Sequence, residues 1–125
     1  MSMVLIYNLD SEKSAKLRML CRKMNIEVRS VEKEEYGYPL SYLLGLSPDS
    51  AAKEIADFDD EMLYIAGLRG GMLNLFLDQL RKRKILIPLK ASQTETNMSF
   101  SSSELYKELF AEREAIAKGM TFHKE

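Results

Sequence analysis

Apolar runs and helix-like stripes alternate along the chain in an order that repeats. Residues 4–32 and 62–90 each read as a short apolar run, a helix with a basic C-terminal end, and a second apolar run. Val4, Leu5, Ile6 and Tyr7 are nearly continuous in hydrophobicity, as is the stretch 62–66, which predicts two central strands buried on both faces. Leu17, Leu20, Cys21 and Met24 recur at helical spacing behind Asp10 or Ser11, either of which can cap a helix ending near Asn25. Ile26, Val28 and Val31 alternate with Glu27 and Arg29, the pattern of a half-exposed edge strand. In the second unit Gly67, Gly70 and Gly71 end the strand, and Met72, Leu73, Phe76, Leu77 and Leu80 form the inward stripe. Arg81, Lys82, Arg83 and Lys84 then complement the helix dipole. Residues 85–89 predict the last strand, with Pro88 on an edge or where pairing stops. Leu17, Leu20 and Ile26 find counterparts near Leu77, Leu80 and Ile85, a likeness of pattern with few identities.

Between the units, Tyr36-Gly37-Tyr38-Pro39 punctuates, Leu40, Leu43 and Leu44 predict a short helix stopped by Gly45, and residues 47–57 carry a second helical signal. After a polar loop at 92–100, Ser101 and Glu104 have capping-box spacing ahead of a helix over 102–118 that presents Leu105, Leu109 and Ile116. Met19, Met24, Met62 and Met72 read as inward core filler, and residues 119–125 as a frayed tail.

This order predicts one α/β domain over residues 1–118, with a four-stranded sheet in βαβ(α)βαβα order and Rossmann-like or flavodoxin-like layers. Its competitor is a ferredoxin-like α+β two-layer sandwich, in which residues 33–61 are an insertion between strands two and three. The choice governs function. In an all-parallel sheet the strand ends at 8–10, 67–71 and 90–97 meet on one ligand-binding rim, whereas an antiparallel centre separates them.

Charge and composition narrow the field. With 18 basic and 19 acidic residues the formal net charge is −1, so no global field favours nucleic acid or an anionic membrane. The basic run at 81–84 is accounted for by the helix dipole. No secretory leader pattern opens the chain and no apolar run spans a bilayer, which predicts a cytoplasmic location without membrane attachment. One cysteine forms no internal disulfide, and one cysteine with one histidine supplies no zinc set. No cofactor is implied.

Ile87-Pro88-Leu89-Lys90-Ala91, then Thr94 and Thr96-Asn97, followed by the helix from Ser102, resembles the signature of a bacterial family, domain of unknown function 3783. The likeness continues upstream through 62–67 and into Tyr36-Gly37, Pro39-Leu40, Tyr42-Leu43 and Gly45. This chain has Phe100 where the family usually has Trp, and Glu112-Arg113 where it often has Glu-His. The resemblance implies a bacterial, cytoplasmic domain and no defined activity.

Two classes of function remain. The first is a non-catalytic module that binds a small anionic or nucleotide-like ligand at a rim built from Asp10, Arg69, Gly70, Gly71, Lys90, Thr94, Thr96 and Asn97. The glycines expose backbone N–H groups ahead of a helix, Arg69 and Lys90 add charge, and the loop adds hydrogen-bonding groups. The plainer reading is a tight turn followed by a self-bonded loop. The second class is a protein-docking or homodimerising domain that uses an exposed strand edge or the cluster Tyr36, Tyr38, Tyr42 and Leu46. No base, nucleophile pair or metal set is recognised, so no catalytic residue is named. Cys21 lies on an apolar stripe, His123 in the solvated tail, and Asp57, Asp59, Asp60 and Glu61 lack calcium-loop spacing.

Overall fold

A computed structural model describes residues 2–117; the predicted tail at 119–125, with His123, lies outside the described residues. The elements are β1 (Met3–Tyr7), α1 (Ser11–Lys23), β2 (Glu27–Ser30), α2 (Leu40–Leu43), β3 (Met62–Ala66), α3 (Gly70–Lys82), β4 (Leu89–Ser92) and α4 (Ser102–Ala117), with short 3-10 turns at Lys33–Glu35 and Asn97–Ser99. The α/β class, the four strands and their order along the chain are as the sequence predicts. The sheet, however, is mixed.

Its order is β2-β1-β3-β4, with β1 parallel to β2 and β3 parallel to β4, but β1 antiparallel to β3. The all-parallel arrangement is thereby corrected. Two βαβ units meet back to back about a two-fold axis between the central strands, where Leu5 pairs with Tyr64. A ferredoxin-like order does not result either, because each unit keeps its two strands adjacent.

The internal symmetry is close. From β1 to the turn after α1, each residue of the first unit has its counterpart 59 positions on, as Met3 with Met62, Ser11 with Gly70, and Lys23 with Lys82. Backbone with positive φ recurs at the same interval, Asn8 with Gly67 and Asn25 with Lys84. Both helices end alike: Ile26 N–H donates to the Cys21 carbonyl at 2.8 Å and Ile85 N–H to that of Leu80 at 2.9 Å. A residue in left-handed geometry after the helix lets the chain turn back while meeting its last carbonyls.

Strand alternation divides the core into two layers. On one face Val4, Ile6, Leu63 and Ile65 pack with Leu17, Leu20 and Cys21 of α1 and Phe76 and Leu80 of α3. On the other, Leu5, Tyr7, Met62 and Tyr64 meet α2, Phe58 and Leu105 of α4. Here Phe58 is stacked between Tyr36 and Tyr106, at 4.5 and 4.2 Å between ring centres. Met19 and Met72, predicted inward, are exposed, since each sits off the stripe that its helix buries.

Residues 47–57 form no helix, correcting the second helical signal, because their backbone groups find partners elsewhere. Lys53 N–H donates to the Gly37 carbonyl at 2.8 Å and Ala56 N–H to Ser103 Oγ at 3.0 Å. A Cβ on Gly37 would stand 2.4 Å from the Lys53 carbonyl oxygen, so this crossing requires glycine. The short helix over α2 and its stop at Gly45, with φ +77°, are as predicted. So is the capping box: Ser101 N–H donates to Glu104 Oε1 at 2.8 Å and Glu104 N–H to Ser101 Oγ at 3.1 Å. No described helix is long and apolar enough to cross a membrane.

Candidate functional site

The two-fold axis gives the molecule two crevices and two edges of common design. In each unit the chain leaves the central strand toward the α1/α3 face and leaves the outer strand toward the opposite face. Diverging connections open a crevice at the carboxyl ends of two parallel strands, the usual ligand position in open α/β sheets.

The crevice of the second unit holds most of the predicted rim. Arg69, Gly70, Gly71, Thr94, Thr96 and Asn97 lie at the carboxyl ends of β3 and β4. Asp10 lies at the opposite end of the sheet, because β1 runs against β3, and Lys90 stands within β4, where it pairs with Leu63. The eight residues therefore do not form one rim. Of those that gather, Thr94 and Asn97 are engaged with each other and with their neighbours. Gly67 N–H donates to Gln93 Oε1 at 2.9 Å, and Asn97 Oδ1 accepts from Tyr64 OH at 2.6 Å and from Thr94 N–H at 2.9 Å. Asn97 Nδ2 donates to the Ser92 carbonyl, and Asn97 N–H to Thr94 Oγ1, each at 3.0 Å. This is the self-bonded loop, with Gln93 and Asn97 filling the crevice. Its bare feature is the start of α3. No side chain caps it and no acid stands in its first turn, whereas Asp10 Oδ1 caps α1 by accepting from Lys13 N–H at 2.7 Å.

The crevice of the first unit is open. A cavity of about 310 Å³ lies at the ends of β1 and β2, lined among others by Asn8, Ser14, Ser30, Glu32, Lys33 and Tyr36. None but Tyr36 was singled out from the sequence; the signal that could have found it is the 59-residue interval, which carries the Gly67 turn back to Asn8.

The edges differ in register. Met3 pairs with Glu27, and its counterpart Met62 pairs with Leu89, so the second unit carries three extra residues, Leu86, Ile87 and Pro88, between its turn and its outer strand. The predicted last strand is accordingly shifted: pairing starts at Leu89, immediately after Pro88. From Ile85 to Lys90 buried and exposed side chains alternate, and Leu86 is 66% exposed. A groove of about 440 Å³ lies on the α3 side, between Leu77, Leu80 and the extra residues, with Arg81 and Lys90 at its margins. A second, of about 240 Å³, lies on the α4 side of the same edge, lined by Pro88, Leu109, Glu112, Arg113 and Ile116. Ile116, predicted inward, is 66% exposed beside this groove. Two lysines cover the edge carbonyls: Lys13 Nζ donates to Leu86 at 2.6 Å and Lys90 Nζ to Ile87 at 2.8 Å.

The other predicted interface does not hold together. Tyr36 is fully buried, corrected by its place in the aromatic stack, while Tyr38 and Tyr42 lean on each other at 5.1 Å and Leu46 alone is well exposed. Cys21 is also buried, which pushes its thiol up to about 11. Among the described residues no group of three His, Cys, Asp or Glu side chains is placed to hold a metal ion.

Residues 61–116 match the model of a domain of unknown function (DUF3783). This segment belongs to that family. The DUF3783 match begins at β3 and runs into α4, so it takes in the filled crevice and the apolar edge and leaves out the open crevice. No curated protein and no solved structure matches the chain.

Proposed function

We propose that the chain is a protein-docking module that holds an acidic, apolar segment of a partner against the β4 edge. The observation that carries this reading is the three-residue addition Leu86-Ile87-Pro88, which turns an ordinary strand edge into a ridge between two apolar grooves. Exposed apolar surface flanked by charge is the usual composition of a docking patch. Pro88 and the two lysines deny an incoming strand much of the main chain here, so side chains seated in the grooves carry the recognition. Arg81 at the margin is paired with Asp78 at 2.7 Å, which leaves Lys90 and Arg113 against Glu112 as the positive charge that suits carboxylates on the partner. A second copy of the chain would set these cations against each other.

Fluorescence anisotropy with a labelled peptide of alternating valine and glutamate tests the proposal. Saturable binding that vanishes in Leu86→Glu and in Lys90→Glu is expected. Equal binding of a valine-lysine peptide would refute the charge argument, and binding untouched by Leu86→Glu would remove the edge from consideration.

The uncapped start of α3 favours a second reading, a small anion held by the free N–H groups of Gly70 and Gly71 beside Arg69. Inorganic phosphate that raises the thermal midpoint of the protein, but not of Arg69→Asp, would support it.

A further inference from the structure

The main chain along the β4 edge is guarded only as far as Pro88. Up to there the Leu86 and Ile87 carbonyls are taken by Lys13 Nζ and Lys90 Nζ, and Pro88 has no N–H to give. Beyond it, the ladder fixes which groups are engaged. Gln93 N–H donates to the Ile65 carbonyl at 2.8 Å, one step past the pairing of Ile65 with Ser92. In a parallel pair every second residue turns its main-chain groups to the neighbouring strand, so Leu89, Ala91 and Gln93 face β3 while Lys90 and Ser92 face outward. The Ser92 carbonyl accordingly accepts from Asn97 Nδ2 at 3.0 Å and not from β3. The N–H and C=O of Lys90 and the N–H of Ser92 are left without a protein partner among the described residues.

Outward main chain of this kind is a template for another strand. Lys90 lines the grooves on both sides of the edge, so the stretch is reached from both faces of the sheet. Lys90 pairs with Leu63, which packs on the α1/α3 face, and Leu89 pairs with Met62, which packs on the other. A strand laid along β4 keeps that alternation: its residue opposite Lys90 turns to the α3-side groove and the next, opposite Leu89, to the α4-side groove. A helix bonds its own main chain and presents one apolar stripe, so it would leave the three outward groups unpaired and fill one groove at most.

We infer that the partner segment proposed for this edge binds as a fifth strand, its main chain on the outward groups of Lys90 and Ser92 and two neighbouring apolar residues seated one in each groove. This rests on the docking reading and adds the conformation and the pattern that are recognised: an extended segment with an adjacent apolar pair between carboxylates.

Hydrogen exchange of the full chain, labelled with nitrogen-15, tests it with two peptides of equal composition, one built on Glu-Val-Val-Glu and one on Val-Glu-Val-Glu. The first should bind the more tightly and, at saturation, should slow exchange at the Lys90 and Ser92 amides. Methylating both valine nitrogens of that peptide should abolish binding, because neighbouring N–H groups of a strand point to opposite sides and one of the two must face β4 in any register. Binding that is lost in Leu86→Glu but leaves exchange at Lys90 and Ser92 unchanged would keep the docking reading and overturn strand addition. Undiminished binding of the methylated peptide, or equal affinity for the two sequences, overturns the inference as well. If neither unmodified peptide binds, the docking reading falls and the fifth strand falls with it.

Discussion

The two βαβ units share a backbone and divide the surface between them. In the first, the crevice is open and the edge is polar: Arg29 in β2 pairs with Glu35 and donates to the Leu43 carbonyl, so the side chain of the edge strand is tied down. In the second, Gln93 and Asn97 fill the crevice, and three added residues leave the edge apolar. One fold offers the same two places twice, and the sequence finishes them differently in each copy. The lesson is that symmetry in the backbone locates candidate sites, while departures from symmetry in the side chains say which of them are used.

The comparison breaks most visibly in the core. Phe76 and its counterpart Leu17 both bury completely against the same sheet face. Truncation to alanine is expected to cost roughly 3–5 kcal/mol at Phe76 and 2–5 kcal/mol at Leu17, read from urea unfolding. If either variant matched wild type, the paired-core description would be wrong for that unit.

High pH acts on both central strands together. Burial raises the phenol of Tyr7 in β1 and of Tyr64 in β3 above the ordinary 10.0, and raises Cys21 from 9.0 to about 11. A raised acid keeps its proton in the folded state after the unfolded chain has released it, so the folded state binds more protons and stability falls as pH rises. That stability is intact below pH 9.0, begins to be lost above it through Cys21, and falls further beyond 10.0 through the tyrosines. Thermal midpoints recorded upward from pH 8 should decline over this window, and the decline should start later in Cys21→Ala.

The helix starts offer a smaller and reversible contrast. Asp10→Ala removes the cap of α1 and should cost about 1 kcal/mol, whereas Arg69→Asp supplies α3 with the cap it lacks and should stabilise by a similar amount. Equal and opposite shifts in the urea midpoint would show that the two units differ here by one side chain; a destabilised Arg69→Asp would mean that the arginine serves the fold.

How far the sequence revealed this arrangement depended on which force set each feature. Strands β1 and β3 and helices α1 and α3 were legible because their apolar periodicity is a local record of burial, and Ser101 with Glu104 because a capping box is written within four residues. The direction of β1 against β3 was not, since no pattern within one strand encodes the sense of its neighbour. That single choice carried Asp10 away from Gly70 and split the expected rim. Tyr36 looked like an exposed anchor because its sequence neighbours are turn residues, yet it fills the core through Phe58, which stands 22 positions away. Pro88 did mark where pairing stops, but the register error remained, because Ile85 and Ile87 are as apolar as strand residues and are buried without pairing.

The smallest effect on stability is the most informative about function. Leu86 and Glu27 each stand two residues beyond the left-handed turns at Lys84 and Asn25 and both are exposed, although Glu27 already pairs with Met3 and Leu86 precedes the pairing of β4. Leu86→Glu therefore gives the second edge the residue that the first already tolerates. Its exposed leucine makes little use of burial, so the change should move the unfolding free energy by no more than about 0.5 kcal/mol in either direction. Lys13, which donates to the Leu86 carbonyl and pairs with Glu61, depends on backbone at this position and is left in place. A variant that unfolds like wild type but no longer binds an acidic, apolar peptide would assign the apolar edge to recognition. A loss well beyond that margin would assign Leu86 to the fold, and the groove beside it would then be packing surface that the second unit needs and the first, with Glu27, does without.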